Sequence, residues 1–275
     1  MTDARCRCPA PRWGVPESID YTRYELEFDA DFSGADLDPA QWLPYYLPQW
    51  SSRERTRARY EVGGGLLTLR VDADQPPWSP EYDGTVRVSN LQTAVRSGPV
   101  GSGSGQHPFR EGLVVREAQP DARLYTPRYG LVEVRAAATV GEHSMAALWM
   151  IGVEDAPEQS AEICVFEIFG RDIGEGAALV GMGVHPFNDP AISDDFAKVT
   201  LQADAREFHD YAVEWARGST RFFIDGREVR RSDQSPDYPM QLMLDIFHFP
   251  PEAGEVVEYP QAFTVEWVRG YRLLG

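Results

Sequence analysis

Residues 161–170 read AEICVFEIFG, and this stretch decides the architecture. Ile163, Val165, Phe166, Ile168 and Phe169 are the aliphatic and aromatic residues of a strand buried at its middle. The polar run 154–160 bounds it on one side and Gly170 on the other. Two glutamates, Glu162 and Glu167, stand five residues apart within it. Side chains alternate with period two on a regular strand, so Glu162 and Cys164 share a face while Glu167 falls on the other. One extra residue absorbed in a β-bulge returns Glu167 to the face of Glu162. Two carboxyls on one face, about 5–5.5 Å apart, are what a retaining glycosidase needs: one attacks the anomeric carbon and the other protonates the leaving oxygen. The plainer alternative is an amphipathic strand with both glutamates solvated. The apolar flanks argue against it, because a buried carboxylate without a cationic partner is costly and usually marks a site.

Working outward, the same grammar repeats. Alternating apolar runs at 24–32, 66–71, 86–95, 131–137, 145–151, 208–215, 220–224, 240–247 and 263–273 lie between turn signals. No long stretch carries the i, i+3, i+4, i+7 stripe of a helix. Asp225-Gly226 and Gly63-Gly64-Gly65 read as turns that separate strands. The segment 98–105, GPVGSGSG, reads as a flexible surface loop; it lacks the Lys-Ser/Thr ending of a phosphate-binding loop. Many short strands without helical crossovers predict an all-β fold, an antiparallel β-sandwich. Residues 1–20 read as an irregular leader and 21–275 as a single domain, with no internal repeat.

Composition narrows the partners. Against 26 Lys and Arg stand 43 Asp and Glu, a net charge of −17 that repels phosphate backbones and anionic bilayers. Nucleic acid and membrane are therefore excluded as expected partners, and a neutral polymer is favoured. The longest apolar run, 145–153, is far too short to span a bilayer. Cys6, Cys8 and Cys164 make neither a disulfide framework nor a zinc knuckle, so no metal site is read from them. The N-terminal MTDARCRCPAPRWG lacks an apolar core, so the chain as it stands reads as cytoplasmic unless a signal has been trimmed.

Five segments in order resemble glycoside hydrolase family 16, the laminarinase and β-glucanase group. EICVFE (162–167) is similar to its bulged E-[ILV]-D-x-x-E signature, YGLVEVRAA (129–137) to its YGrfEaR strand, and MAALWMIG (145–152) to WPAfWmlG. FHDYAVEWARGSTRFFIDG (208–226) and the closing YPMQLMLDIF and VEWVRGY complete the set, covering roughly residues 125–275. The N-terminal 120 or so residues match only loosely. The resemblance implies a concanavalin A-like jelly roll with a concave sugar-binding cleft, and retaining endo-hydrolysis of a β-1,3 or mixed-linkage glucan. It implies Glu162 as nucleophile, Glu167 as acid/base, Trp149 and Trp215 as cleft aromatics, and His185 as a partner of a sugar hydroxyl or of the acid/base. No cofactor is required; relatives often hold a structural calcium in a pattern too diffuse to map here. Relatives are usually secreted.

Three departures stand out. Cys164 occupies the place of the central aspartate, and a neutral thiol removes charge that raises neighbouring carboxyl pKa values, so Glu167 is expected to be a poorer acid. Met145 and Phe222 stand where relatives carry Trp. The missing sugar-stacking rings either move to Trp42, Trp50 or Trp78, or those three are ordinary loop packing. A degenerate relative that binds polysaccharide without cleaving it is the alternative function. A lectin-like sandwich without sugar chemistry ranks last.

Overall fold

The described residues form sixteen strands, into which the alternating runs all fall, with one four-residue α-helix and three single-turn 3-10 helices. The computed structural model describes residues 18–251 and 255–274, so most of the leader, with Cys6 and Cys8, lies outside the described residues. The first strands are β1 (Tyr24–Ala30), β2 (Arg59–Gly63), β3 (Leu66–Val71), β4 (Arg87–Gln92) and β5 (Ala94–Val95). β6 (Ala122–Arg123), β7 (Gly130–Ala137), β8 (Ser144–Gly152), β9 (Glu162–Phe169) and β10 (Ala178–His185) follow. The last six are β11 (Asp195–Leu201), β12 (His209–Ala216), β13 (Ser219–Ile224), β14 (Arg227–Ser232), β15 (Met240–His248) and β16 (Gln261–Leu273).

One sheet runs β14-β13-β12-β7-β16-β3-β2, with β1 also paired to β16; the other runs β11-β10-β9-β8-β15-β4. Their pairings are antiparallel, as the alternation predicts. Strands β10 and β14 lie outside the alternating runs, β10 because Gly181 and Gly183 interrupt its alternation; β2 and β11 escape the pattern for a different physical reason. Each is the last strand of its sheet, and β11 buries only Leu201 among its seven residues, so little selects for apolar alternation.

The two sheets share one core. Val134, Tyr211, Val213, Trp215, Phe222 and Phe263 meet Leu148, Ile163, Phe166, Val180, Leu242 and Leu244 across the interface. Each fully buried side chain of this size contributes roughly 1.5–3 kcal/mol, which makes the sandwich interior the main source of stability. The opposite, outer face of the six-stranded sheet is where expectation and structure part. A second apolar cluster paves much of it: Tyr46, Leu47, Trp50, Trp78 and Leu113, all from the connections before β6, pack on Met145, Ala147, Trp149, Cys164 and Met243. The face left partly open runs along Glu167, Phe169, His185, Phe196, Phe247 and Phe249. The N-terminal region that matched the family only loosely is thus a cover for the sheet. The loop 98–105 is also less free than its composition suggests. Gly105 is buried against Trp50, and a Cβ there would lie 2.8 Å from the indole ring.

Candidate active site on the outer sheet face

The central strand is bulged. Along β8, Trp149 pairs with Cys164 and Leu148 with Phe166, so Val165 is the extra residue; β10 shows the same step, with Gly183 opposite Cys164 and Gly181 opposite Glu167. Val165 and Phe166 both enter the inter-sheet core, and this doubles the inward step. Beyond it, Glu167 returns to the face of Glu162 and Cys164. The thiol marks the convergence: its sulfur lies within 4.8 Å of a Glu162 carboxyl oxygen and a His185 ring nitrogen, and both Glu162 and Glu167 act electrostatically on it. The glycines of β10 keep this neighbourhood open. Gly183 has φ +150°, and a Cβ on it would come 2.2 Å from the Asp195 carbonyl oxygen.

Burial dominates the electrostatics. It drives the Glu162 carboxyl well above the ordinary range, with further push from Glu167 and Asp245. Burial also raises Cys164, so the thiol is neutral, and the two glutamates add to the rise. Glu167 is raised by burial too, opposed by the Cys164 thiol and by the charges of His185 and Lys198. The sequence reading foresaw weaker upward pressure on Glu167; the thiol does oppose protonation, but burial outweighs it.

Two groups in this site escaped the sequence reading. His107, in the loop before β6, brings its ring against Trp149 and Phe187 and its Nε2 to 3.4 Å from Glu162 Oε1. Burial lowers its pKa to about 4, so at neutral pH this contact joins a neutral imidazole to a carboxyl. Its backbone N–H donates to Glu154 Oε1 at 2.6 Å, and Glu154, also buried, is raised to about 8. His107, Glu154 and Phe187 all adopt left-handed backbone conformations, at φ +53°, +60° and +46°. Strain of this kind gathered around one carboxyl is a mark of functional sites. No sequence signal announced His107, because a loop residue carries no period. Asp245 did have one: it is the single acid in the apolar run 240–247. It is fully buried, accepts from Trp149 Nε1 at 2.7 Å, and its Oδ1 has no partner. Register places Ala147 between Asp245 and Glu167, so a small side chain separates the two acids across the sheet.

The model of "Glycosyl hydrolases family 16" matches residues 124–269, more than half of the chain. The chain belongs to that family. A glucan endo-1,3-beta-glucosidase A1 of Niallia circulans is 24% identical over 221 residues, which cover 78% of this chain and 30% of that one. A GlcNAcα1-4Gal releasing endo-β-galactosidase from Clostridium perfringens superposes with TM-score 0.81 at 27% identity, covering 94% of this chain and 65% of that one. A laminarinase from Flavobacterium sp. UMI-01 shares the fold at TM-score 0.62 and 18% identity, over 90% of this chain and all of the other. The family 16 chain thus spans less than a third of its curated relative and just under two thirds of the endo-β-galactosidase.

The remaining sequence-selected residues of this family 16 chain divide. His185 closes β10 opposite Glu162, stacks on Phe196 and binds Asp194 Oδ1 through Nδ1 at 2.5 Å. Trp149 is on the site's side of the sheet, its ring largely covered and met edge-on by His107. Trp215 belongs elsewhere: it lies on β12 of the other sheet, points into the shared core at 2% exposure, and donates Nε1–H to the Pro236 carbonyl at 2.9 Å. Alternation along β12 turns Tyr211, Val213 and Trp215 inward together, so the expectation that Trp215 lines the cleft is corrected. Trp42, Trp50 and Trp78 are each 1% exposed and serve packing. Among the described residues one set of three His, Cys, Asp or Glu side chains gathers ligand atoms, Glu162, Cys164 and His185, and calcium takes oxygen donors.

Proposed function

We propose that this chain is a retaining, endo-acting glycosidase of a neutral β-linked glucan, with Glu162 as nucleophile and Glu167 as acid/base. The observation that carries the reading is the Val165 bulge, which gathers both glutamates around one thiol on one face. In the first step the Glu162 carboxylate attacks the anomeric carbon, the glycosidic C–O bond breaks, and Glu167 gives its proton to the departing oxygen. Glu167 then takes a proton from water, and the resulting hydroxide displaces Glu162 from the glycosyl ester. Between them the two buried carboxyls must hold one proton to begin, and the pair titrates as a unit. His107 Nε2 is placed to donate to Glu162 as its anion forms. Asp245, buried on the same face and bonded to Trp149 Nε1, adds negative potential beside the pair.

The named relatives support two substrate classes. The glucan endo-1,3-beta-glucosidase and the laminarinase favour β-1,3 or mixed-linkage glucan. The endo-β-galactosidase, with a TM-score of 0.81, favours a β-galactosidic bond as the second reading. Cleavage of an internal β-linkage is common to both. A binding protein without turnover is favoured only by the thiol at position 164 and by the paved sheet face. Laminarin, lichenan and glycans ending in GlcNAcα1-4Gal are the substrates to try, scored by new reducing ends. Glu162→Gln is expected to abolish release, and Glu167→Gln to reduce it by roughly 10²–10⁴-fold. Folded protein that retains these glycans without cleaving any would leave the binding reading standing in place of the enzyme.

A further inference from the structure

The cluster at the centre of the site mixes donor types. A carboxylate, a thiol and an imidazole, from Glu162, Cys164 and His185, bring one ligand atom each within 4.8 Å of one another. Oxygen, sulfur and nitrogen donors together suit a borderline-soft divalent ion of the zinc class and suit calcium or magnesium poorly. The second observation concerns how His185 is held. Its Nδ1 is taken by Asp194 Oδ1 at 2.5 Å, which leaves Nε2 as the nitrogen for a metal and fixes the ring through a carboxylate behind it. That arrangement, carboxylate to imidazole to metal, is the usual outer-shell support of a zinc-binding histidine. Phe196 packs against the same ring, with centroids 4.8 Å apart, and limits its rotation.

We infer that Glu162, Cys164 and His185 form a binding site for a zinc-class divalent cation at the catalytic centre, and that the occupied site is the blocked form of the hydrolase. On binding, the Cys164 S–H bond breaks, its proton leaves to solvent, and a metal–sulfur bond forms. Any proton held by the Glu162 carboxyl or by His185 Nε2 leaves to solvent in the same way, and each then donates a lone pair to the metal. The cation compensates negative charge that burial otherwise makes costly in this cluster. Hydrolysis requires the same Glu162 oxygens to be free, so metal and glycan compete. The blocking half of the inference rests on the hydrolase reading; the binding half does not.

The test uses the full chain with Cys6→Ser and Cys8→Ser, so that Cys164 is the only thiol left. Cadmium is titrated as the spectroscopic probe and zinc by calorimetry, with circular dichroism as the check on folding. One equivalent of metal is expected, with a thiolate-to-metal ultraviolet band. His185→Gln should weaken binding by at least tenfold and Asp194→Asn by about 10–100-fold. A folded protein without the band, or an affinity that neither His185→Gln nor Asp194→Asn changes, overturns the site. In the second arm, saturating zinc should lower release of reducing ends at least tenfold, with the inhibition constant tracking the calorimetric Kd. Undiminished hydrolysis by metal-loaded protein overturns the placement at the catalytic centre. A metal-free protein that cleaves none of the glycans fails the hydrolase reading instead, and the spectroscopic arm still decides the metal site.

Discussion

Cys164 is the residue on which the chemistry of this chain turns. The thiol lies beside both glutamates and is held neutral by burial and by those two carboxyls. Cys164→Asp introduces a third acid between the pair, which raises both neighbours and favours a protonated Glu167. If the thiol weakens the acid, the variant gains at least tenfold in kcat and its alkaline limb moves to higher pH; an unchanged pH–rate profile would mean that the thiol is fully tolerated. His107 offers a second handle. His107→Phe keeps the ring contacts with Trp149 and Phe187 but removes the nitrogen beside Glu162. A loss of roughly tenfold in kcat is expected, the scale of one hydrogen bond, with partial recovery in His107→Gln. A packing residue would show no such rescue.

At the scale of the strand, function depends on one interruption of the pleat. The residues of β9 announced a buried strand with two acids, yet the bulge itself was only required by chemistry, since no residue in EICVFE forces one. What fixes Val165 as the extra residue is the pairing of β9 with both neighbours and the core space that accepts Val165 beside Phe166. Strand β10 contributes through absence. Gly183→Ala would set a methyl 2.2 Å from the Asp195 carbonyl at a backbone angle that L-residues avoid. A loss of about 1–3 kcal/mol is expected from denaturant unfolding. Trp215→Phe tests the corrected assignment. It vacates core volume and orphans the Pro236 carbonyl, so stability falls by about 1–3 kcal/mol while KM stays unchanged.

For the molecule as a whole, buried titratable groups set how stability follows pH. Burial lowers His107 and His248 to about 4, below the ordinary histidine value of 6.5, so the unfolded chain holds those protons more tightly. Their contribution is present above 6.5 and is lost as pH falls toward about 4. Glu154 has the opposite sign. Its folded pKa of about 8 exceeds the ordinary glutamate value of 4.5, so stability falls as pH climbs between those values. Glu154→Gln keeps an acceptor for the His107 N–H and removes the charge. Its stability gain is expected to be absent near pH 4, to grow through neutrality, and to level above pH 8 on the order of 3 kcal/mol. Urea denaturation across that range reads it. A gain independent of pH would mean that Glu154 is ionised in the folded protein.

The amino-acid sequence by itself determined the antiparallel sandwich, nearly all of its interior strands, and the two glutamates of β9. Those are matters of period and of side-chain type, which neighbours along the chain carry. Only the tertiary structure decided that Trp215 faces the core, that segments of the N-terminal region pave the outer sheet face, and that His107 meets Glu162 and Asp245 meets Trp149 beside the cluster of Glu162, Cys164 and His185. Contacts between distant segments depend on which faces are turned together and on how much space small residues such as Ala147 and Gly183 leave between them. That information resides in three-dimensional packing, where a loop histidine without periodic signature and a carboxylate from another strand become parts of one site.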